Sequence, residues 1–292
     1  MMLRLLFFIM FVMSSTVFAV EKETPLVVSV EWLAQHLEDE NIVIIDVRKK
    51  EAYQKGHIKG AVNMPVMEDF FTKKDLKLPS LSFLTNLFSN AGIDKNTHVI
   101  VYDNGQFCWA ARAIWVLKLL GHNKGSFLEY SYGKYVQKHL PISTKAPHLV
   151  KKEFIPMINN NMIATKLDTL MAIGKDIILD GRTKEMYMGK VSIAKRYGHI
   201  PTAKLFSGLN NYKKTEDGHK LKSFDKLKKV YASLPKEKKM ILYCQDGADA
   251  ALDDLIMQRL GFKNTVVYEG GWIEWGNDER LPIENPSVKE KK

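Results

Sequence analysis

The residue types best placed for chemistry in this 292-residue chain centre on Cys244. It follows the apolar run Met240-Ile241-Leu242-Tyr243, which reads as a buried strand. It precedes Gln245-Asp246-Gly247-Ala248-Asp249 and a helical pattern from about Ala250 to Leu260. A short loop between a buried strand and a helix start turns several backbone N–H groups towards one point, where the helix dipole adds positive potential. A sulfur held there is favoured as thiolate, the attacking form. Gly247 permits the tight turn, and Ala248, Ala250 and Ala251 let the helix lie close to the sheet. Without such a loop, a cysteine ending a strand reads as a core filler.

Two acids oppose the thiolate. A carboxylate of Asp246 or Asp249 about 5 Å from the sulfur would cost it ~3 kcal/mol at an effective dielectric of ~20, equivalent to about two pKa units upward. A dianionic ligand is disfavoured at such a loop. The sixth residue after Cys244 is Ala250, not the arginine that grips phosphate in Cys-x5-Arg esterases, which argues against phosphate-ester hydrolysis. The other cysteine, Cys108, lies at the start of a helical pattern and reads as a small core residue. There is no Cys-x-x-Cys pair, so thiol–disulfide exchange would need Cys108 or an external thiol as partner. Scattered histidines and solitary cysteines form no metal-ligand cluster.

The elements that position Cys244 occur twice. A helical pattern opening at Ser29, the strand Ile42–Ile45 and Asp46-Val47-Arg48 answer the helix before Gly174, the strand Ile177–Leu179 and Asp180-Gly181-Arg182. Gly56-His57-Ile58 answers Gly198-His199-Ile200, Val99–Asp103 answers Met240–Cys244, and both halves close on Leu-Pro-Ile. His57 stands 46 residues before Asp103, and His199 stands 45 before Cys244. The second half carries about eight extra residues between its Asp-x-Arg and Gly-His-Ile marks. Short apolar strands alternating with helical patterns imply a mostly parallel sheet, whose ligands bind outside the carboxyl ends of the strands.

These motifs, in combination, resemble the rhodanese domain. The resemblance runs through Asp46, Arg48, Tyr53, His57, Gly60, Ala61, Asn63 and Pro65 in the first half. In the second it takes in Asp180, Arg182, Tyr187, His199, the Cys244 loop, and Tyr268-Glu269-Gly270-Gly271-Trp272-Ile273-Glu274-Trp275. It points to the tandem-domain sulfurtransferases that act on thiosulfate or 3-mercaptopyruvate. The fold it implies is α/β, two tandem rhodanese-like domains, each a mostly parallel sheet with helices on both faces. It implies a domain over 24–142 with Asp103 where a catalytic cysteine would stand, a linker over 143–152, a catalytic domain over 153–286 and a charged tail over 287–292.

The activity implied is transfer of a sulfane sulfur from a small-molecule donor to a thiol or cyanide acceptor through a Cys244 persulfide held by Gln245, Asp246, Gly247, Ala248 and Asp249, with no cofactor. Asp180 and Arg182 either pair structurally or touch substrate, while His57 and His199, present in both halves, read as structural. Trp272 and Trp275 read as packing. The acidic loop and Met186, where some members place an anion-binding arginine, point away from thiosulfate and towards a less anionic or thiol-bound donor. The alternative is a rhodanese-like binding or regulatory protein whose sulfur transfer is weak or lost.

Composition sets the frame. Hydrophobic residues at 46% and charged residues at 26% exclude disorder, collagen-like repeats and a multi-span membrane protein. A basic start, the apolar run from Leu5 to Met13 and the small-residue site at Ala19 read as a secretory signal over 1–19, implying an exported, periplasmic protein without stable membrane insertion after cleavage. The net charge is +10. With no aromatic-interleaved basic groove, that surplus reads as exposed helix faces, not a nucleic-acid site.

Overall fold

The computed structural model describes residues 24–216 and 218–289. The expected signal over 1–19 lies outside them, as do residues 290–292 of the expected tail.

The first half runs β1 (Val27–Val28), α1 (Val30–Gln35), β2 (Ile42–Asp46), α2 (Lys50–Lys55), β3 (His57–Ile58), β4 (Val62–Asn63) and α3 (Val66–Asp69). It continues with α4 (Leu81–Asn90), β5 (His98–Tyr102), α5 (Cys108–Leu119), β6 (Gly125–Leu128), α6 (Tyr132–Gln137) and β7 (Ile142–Ser143). The second half has β8 (Ile163–Ala164), α7 (Lys166–Ala172), β9 (Ile177–Asp180), α8 (Lys184–Tyr187), β10 (Lys204–Leu205) and a hairpin, β11 (Tyr212–Thr215) and β12 (Gly218–Leu221). It ends with α9 (Phe224–Val230), β13 (Met240–Tyr243), α10 (Ala248–Arg259), β14 (Thr265–Tyr268), α11 (Gly271–Asn277) and α12 (Pro286–Lys289).

Each half holds a five-stranded sheet in the same order, β1-β6-β5-β2-β4 and β8-β14-β13-β9-β10, with every pair parallel. Continuous apolar runs make the central strands β5 and β13, because a parallel strand is covered on both faces. Local signals end the elements as the sequence implies. Ser29 Oγ accepts from the Trp32 N–H at 3.0 Å at the start of α1, and Gly174, at φ +74°, follows α7. The extra residues of the second half form the irregular stretch after α8. Helix α10 starts at Ala248, two residues before the position its apolar pattern suggests, because Gly247 takes the left-handed N-cap.

The halves meet through α5 and α10, which lie side by side and run in the same direction. Cys108 meets Asp249 near their starts, and further along both helices Trp115 Nε1 donates to Asp254 Oδ2 at 3.1 Å. One hydrophobic core spans the contact, from Val99, Val101 and Leu117 to Leu242, Leu255 and Ile256. A junction of this kind resembles a domain core more than a hinge. The connection 144–159 has no helix or strand, yet it is no free tether. It is bound along the first half through the Phe154 and Met157 amides, and Phe154 packs on Phe88.

Two carboxyls of α10 are buried, Asp254 against α5 and Asp253 inside the second half. Burial pushes Asp253 up to about 7 and Asp254 up to about 6, while Tyr231 and Asn211 hold Asp253 Oδ1 and Thr265 holds Asp254 Oδ1. A carboxyl whose pKa rises on folding stabilises the fold below its unfolded pKa, and that contribution is lost as pH rises through the folded value. Denaturant titrations are therefore expected to find wild type gaining stability relative to Asp253→Asn as pH falls from about 8 to about 5. A difference independent of pH contradicts a buried, titrating Asp253.

Candidate active site

Tyr243 ends the central strand of the second sheet, and the chain turns over its carboxyl edge. Cys244 is fully buried. The Gly247 N–H donates to Cys244 Sγ at 3.2 Å, and the amides of Asp246 and Ala250 also face the sulfur. The loop carbonyls are held elsewhere, since Trp272 N–H donates to Cys244 O at 2.9 Å and Ile273 N–H to Gln245 O at 3.0 Å. With its carbonyls tied to the start of α11, the loop presents its N–H groups to the sulfur. Two glycines make this approach feasible. Gly247 sits at φ +89°, and a Cβ on Gly271 would stand 2.6 Å from Gln245 O.

The first half repeats the loop with a different occupant. Asp103 stands in the place of Cys244, and its own carboxylate accepts from Gly105 N–H at 2.6 Å and Ala110 N–H at 3.3 Å, with the Gln106 and Phe107 amides facing it too. This fold therefore builds, twice, a ring of amides turned towards an acidic side chain. In one half a side chain fills it permanently; in the other the group inside is a thiol.

That thiol does not lie on the thiolate side, contrary to the expectation drawn from loop and helix alone. Burial pushes the Cys244 thiol well above the ordinary cysteine range, and the Asp246 and Asp249 carboxylates push it further, outweighing the amides. Cys244 S–H faces Asp246 Oδ1 at 3.8 Å, and that oxygen also accepts from Ala248 N–H at 3.1 Å. Burial, then Asp246, raises the Asp249 carboxyl to about 6, and the Cys108 thiol donates to it. Cys108 is thus buried as expected, but against the acid of the Cys244 loop. Both cysteines are free.

Asp180 and Arg182 lie beneath the loop as a buried ion pair, with Arg182 Nη1 left unpartnered among the described residues. Arg182 Nε and Nη2 reach the carboxylate at 2.9 and 2.6 Å, Nη2 also donates to Gly198 O at 2.7 Å, and the guanidinium lies 4.4 Å over Trp272. Asp46 and Arg48 repeat the pair where no cysteine stands. His199 Nδ1 donates to Tyr187 O at 2.8 Å and stacks on that ring, and His57 does the same with Tyr53. Trp272 and Trp275 are fully buried. Gln245 points its amide into the protein, with neither polar atom partnered among the described residues.

Sequence reading missed what the first half brings. Arg112 of α5 is fully buried, stacks over Phe71 and pairs with Glu269 Oε2 at 3.0 Å. Its Nη1 has no partner among the described residues and lies 3.1 Å from where a Cβ on Gly247 would be. Nothing local marks Arg112, because its role exists only once the halves are packed.

The crowding at Gly247 yields a direct expectation. Alanine there would adopt a left-handed φ with its Cβ 3.0 Å from Glu269 O. Gly247→Ala is expected to lose about 1–3 kcal/mol of stability and to change the rate of Cys244 alkylation at fixed pH. Unchanged values of both contradict the tight loop.

Comparison with known proteins matches this architecture. The rhodanese-like domain family matches residues 29–138 and again 163–278. The chain is 29% identical over 279 residues to 3-mercaptopyruvate sulfurtransferase of Escherichia coli K12, covering 88% of this chain and 97% of that one. It is 28% identical over 274 residues to the sulfur carrier protein TtuD of Thermus thermophilus, covering 88% and 95%. The crystal structure of SseA from Escherichia coli, described as a 3-mercaptopyruvate sulfotransferase, superposes with a TM-score of 0.73 at 27% identity, covering 85% of this chain and 99% of that one. The chain belongs to the rhodanese-like family, with two such domains in tandem, as in the sulfurtransferases it resembles.

Proposed function

We propose that the protein is a sulfurtransferase in which Cys244 carries the sulfur as a persulfide. The observation that carries this reading is the amide ring around Cys244 Sγ, whose twin holds the Asp103 carboxylate. Sulfurtransferase relatives over most of the chain support it. Cys244 passes its thiol proton to the Asp246 carboxylate it faces, and the thiolate so formed attacks the sulfane sulfur of the donor; a new S–S bond forms, and the bond from that sulfur to the donor breaks with its electron pair leaving on the donor. The acceptor then attacks the outer sulfur of the persulfide, and Cys244 departs as thiolate. The loop amides stabilise both the thiolate and the persulfide anion, in a site from which burial removes water. Asp180 and Arg182 hold the strand end in place, and the loop residues Gln245 to Asp249 receive the donor.

The acids select the donor. Asp246 and Asp249 raise the thiol, and they repel a dianion, so thiosulfate is a poor donor and a thiol-bound or less anionic sulfane sulfur a better one. Small-molecule donor and thiol or cyanide acceptor are the partners of this reading. A second reading, a rhodanese-like binding protein without turnover, draws on the complete burial of Cys244 and its raised thiol. We also propose export to the periplasm, on the strength of the basic, apolar and small-residue pattern of residues 1–19.

Intact-mass spectrometry after exposure to several sulfane donors separates the two readings. An adduct of about 32 Da, one sulfur, that is absent from Cys244→Ser is the expected result; its absence with every donor favours the binding protein. Donor choice has its own test: Asp246→Lys is expected to raise turnover of thiosulfate with cyanide about tenfold or more, the equivalent of one pKa unit at the sulfur. No gain, or a wild-type rate matching that of a relative with a basic loop, contradicts selection by the acids.

A further inference from the structure

The hairpin β11–β12 is an element of the second half that the sulfur chemistry above does not use, and its two faces differ. Pairing places Tyr212 opposite Leu221, Lys213 opposite Lys220 and Lys214 opposite His219. Strand alternation then sends Tyr212, Lys214, His219 and Leu221 to one face and Lys213 and Lys220 to the other. The first face lies on the beginning of α5. Tyr212 packs on Phe107 with ring centroids 6.1 Å apart, and the His219 Cβ lies 3.6 Å from where a Cβ on Gly105 would be. Burial, then the nearby Asp249 carboxylate, pushes the Tyr212 hydroxyl up to about 12. The hairpin therefore leans on the edge of the Cys244 site.

Its other face forms one wall of a cleft of about 370 Å³ closed by Tyr130 and α6 of the first half. Lys134, Lys213, Lys220, Lys222 and Lys226 line it, with no carboxylate among the lining residues. Lys220 fastens the hairpin to the first half, donating to the Tyr130 hydroxyl at 2.7 Å and pairing with Glu129 at 3.4 Å. Lys213 and Lys226 are exposed and reach no carboxylate among the described residues. So many ammonium groups around one concave surface create a positive field that attracts acidic chains and steers their approach. The cleft spans both halves and is concave, which suits an extended polypeptide better than a flat lipid surface.

We propose that this lysine cleft is the docking surface for an acidic polypeptide that carries the acceptor thiol to Cys244. The acceptor role rests on the sulfurtransferase reading; the docking does not. A macromolecular acceptor with its negative charge spread along the cleft meets lysines there and brings a neutral thiol to the acidic loop, where a small dianion is repelled. Its carboxylates compete with Glu129 for Lys220, on the element that leans over the Cys244 site.

Two measurements on the full chain test this. In the first, fluorescence anisotropy follows a thiol-blocked, labelled oligo-glutamate peptide, with oligo-glutamine and oligo-lysine peptides of equal length as controls. The oligo-glutamate is expected to bind about tenfold or more tightly than oligo-glutamine, to weaken steeply with added salt, and to lose that advantage with Lys213→Glu/Lys226→Glu. Equal binding of all three peptides, or no effect of the double variant, overturns the docking surface. Competition by a single-stranded oligonucleotide or by anionic phospholipid vesicles at lower charge concentration than oligo-glutamate also overturns it, in favour of those partners. In the second, the same peptides with a free cysteine accept sulfur from the protein after donor treatment. Faster transfer to the acidic peptide, lost in the double variant, supports delivery of the acceptor. Equal rates overturn that delivery, whereas a wild-type protein that never takes up sulfur overturns the sulfurtransferase reading and leaves the anisotropy result to decide the docking.

Discussion

The constraint on which this structure depends is the disposal of backbone amides where a central parallel strand meets a helix. The first N–H groups of α10 and of its loop have no intrahelical acceptor, and burial denies them water. They need a negative or lone-pair-bearing partner, and Cys244 Sγ and Asp246 Oδ1 are the atoms the chain supplies. In the first half the same need is met by Asp103, which closes its own loop with its own carboxylate. The twin loops show one geometry with two outcomes. A carboxylate fills the ring permanently, while in the proposed reaction the sulfur gains a second sulfur with the amides still around it.

Everything around the loop keeps those amides pointed inwards. The start of α11 ties up the carbonyls of Cys244 and Gln245, and Gly271 lets it come close enough to do so. Arg112 reaches from the first half to Glu269, just ahead of that helix, and backs Gly247. The first half is therefore part of the wall of the candidate site. Parallel packing of α5 and α10 brings both helix starts, and Cys108 with Asp249, to the same end of the molecule.

Much of this was legible from residues. The repeat spacing, the strand ends at Asp46 and Asp180, the glycine at the loop turn and the likeness of the halves all rest on local rules of chain geometry, and they appear in the structure as read. What was not legible depends on tertiary burial. The sign of the Cys244 shift follows from how completely water is excluded and how near two acids lie, neither of which a linear motif reports. The role of Arg112 and the hairpin's lysine wall arise only when the halves are placed together, and the connection along Phe154 packs on first-half residues far from it in sequence. Net charge was the least specific signal, since the positive surplus and the acidic loop occupy different surfaces with opposite effects on an approaching anion.

The central claim is that the amides of the Cys244 loop hold the sulfur through its change of state. Amide chemical shifts of residues 246–250, recorded by NMR before and after treatment with a sulfane donor, test it most directly. The account predicts that these resonances move together on sulfur uptake, return when a thiol acceptor is added, and stay still in Cys244→Ser. Sulfur uptake by the protein with these amides unmoved would contradict it.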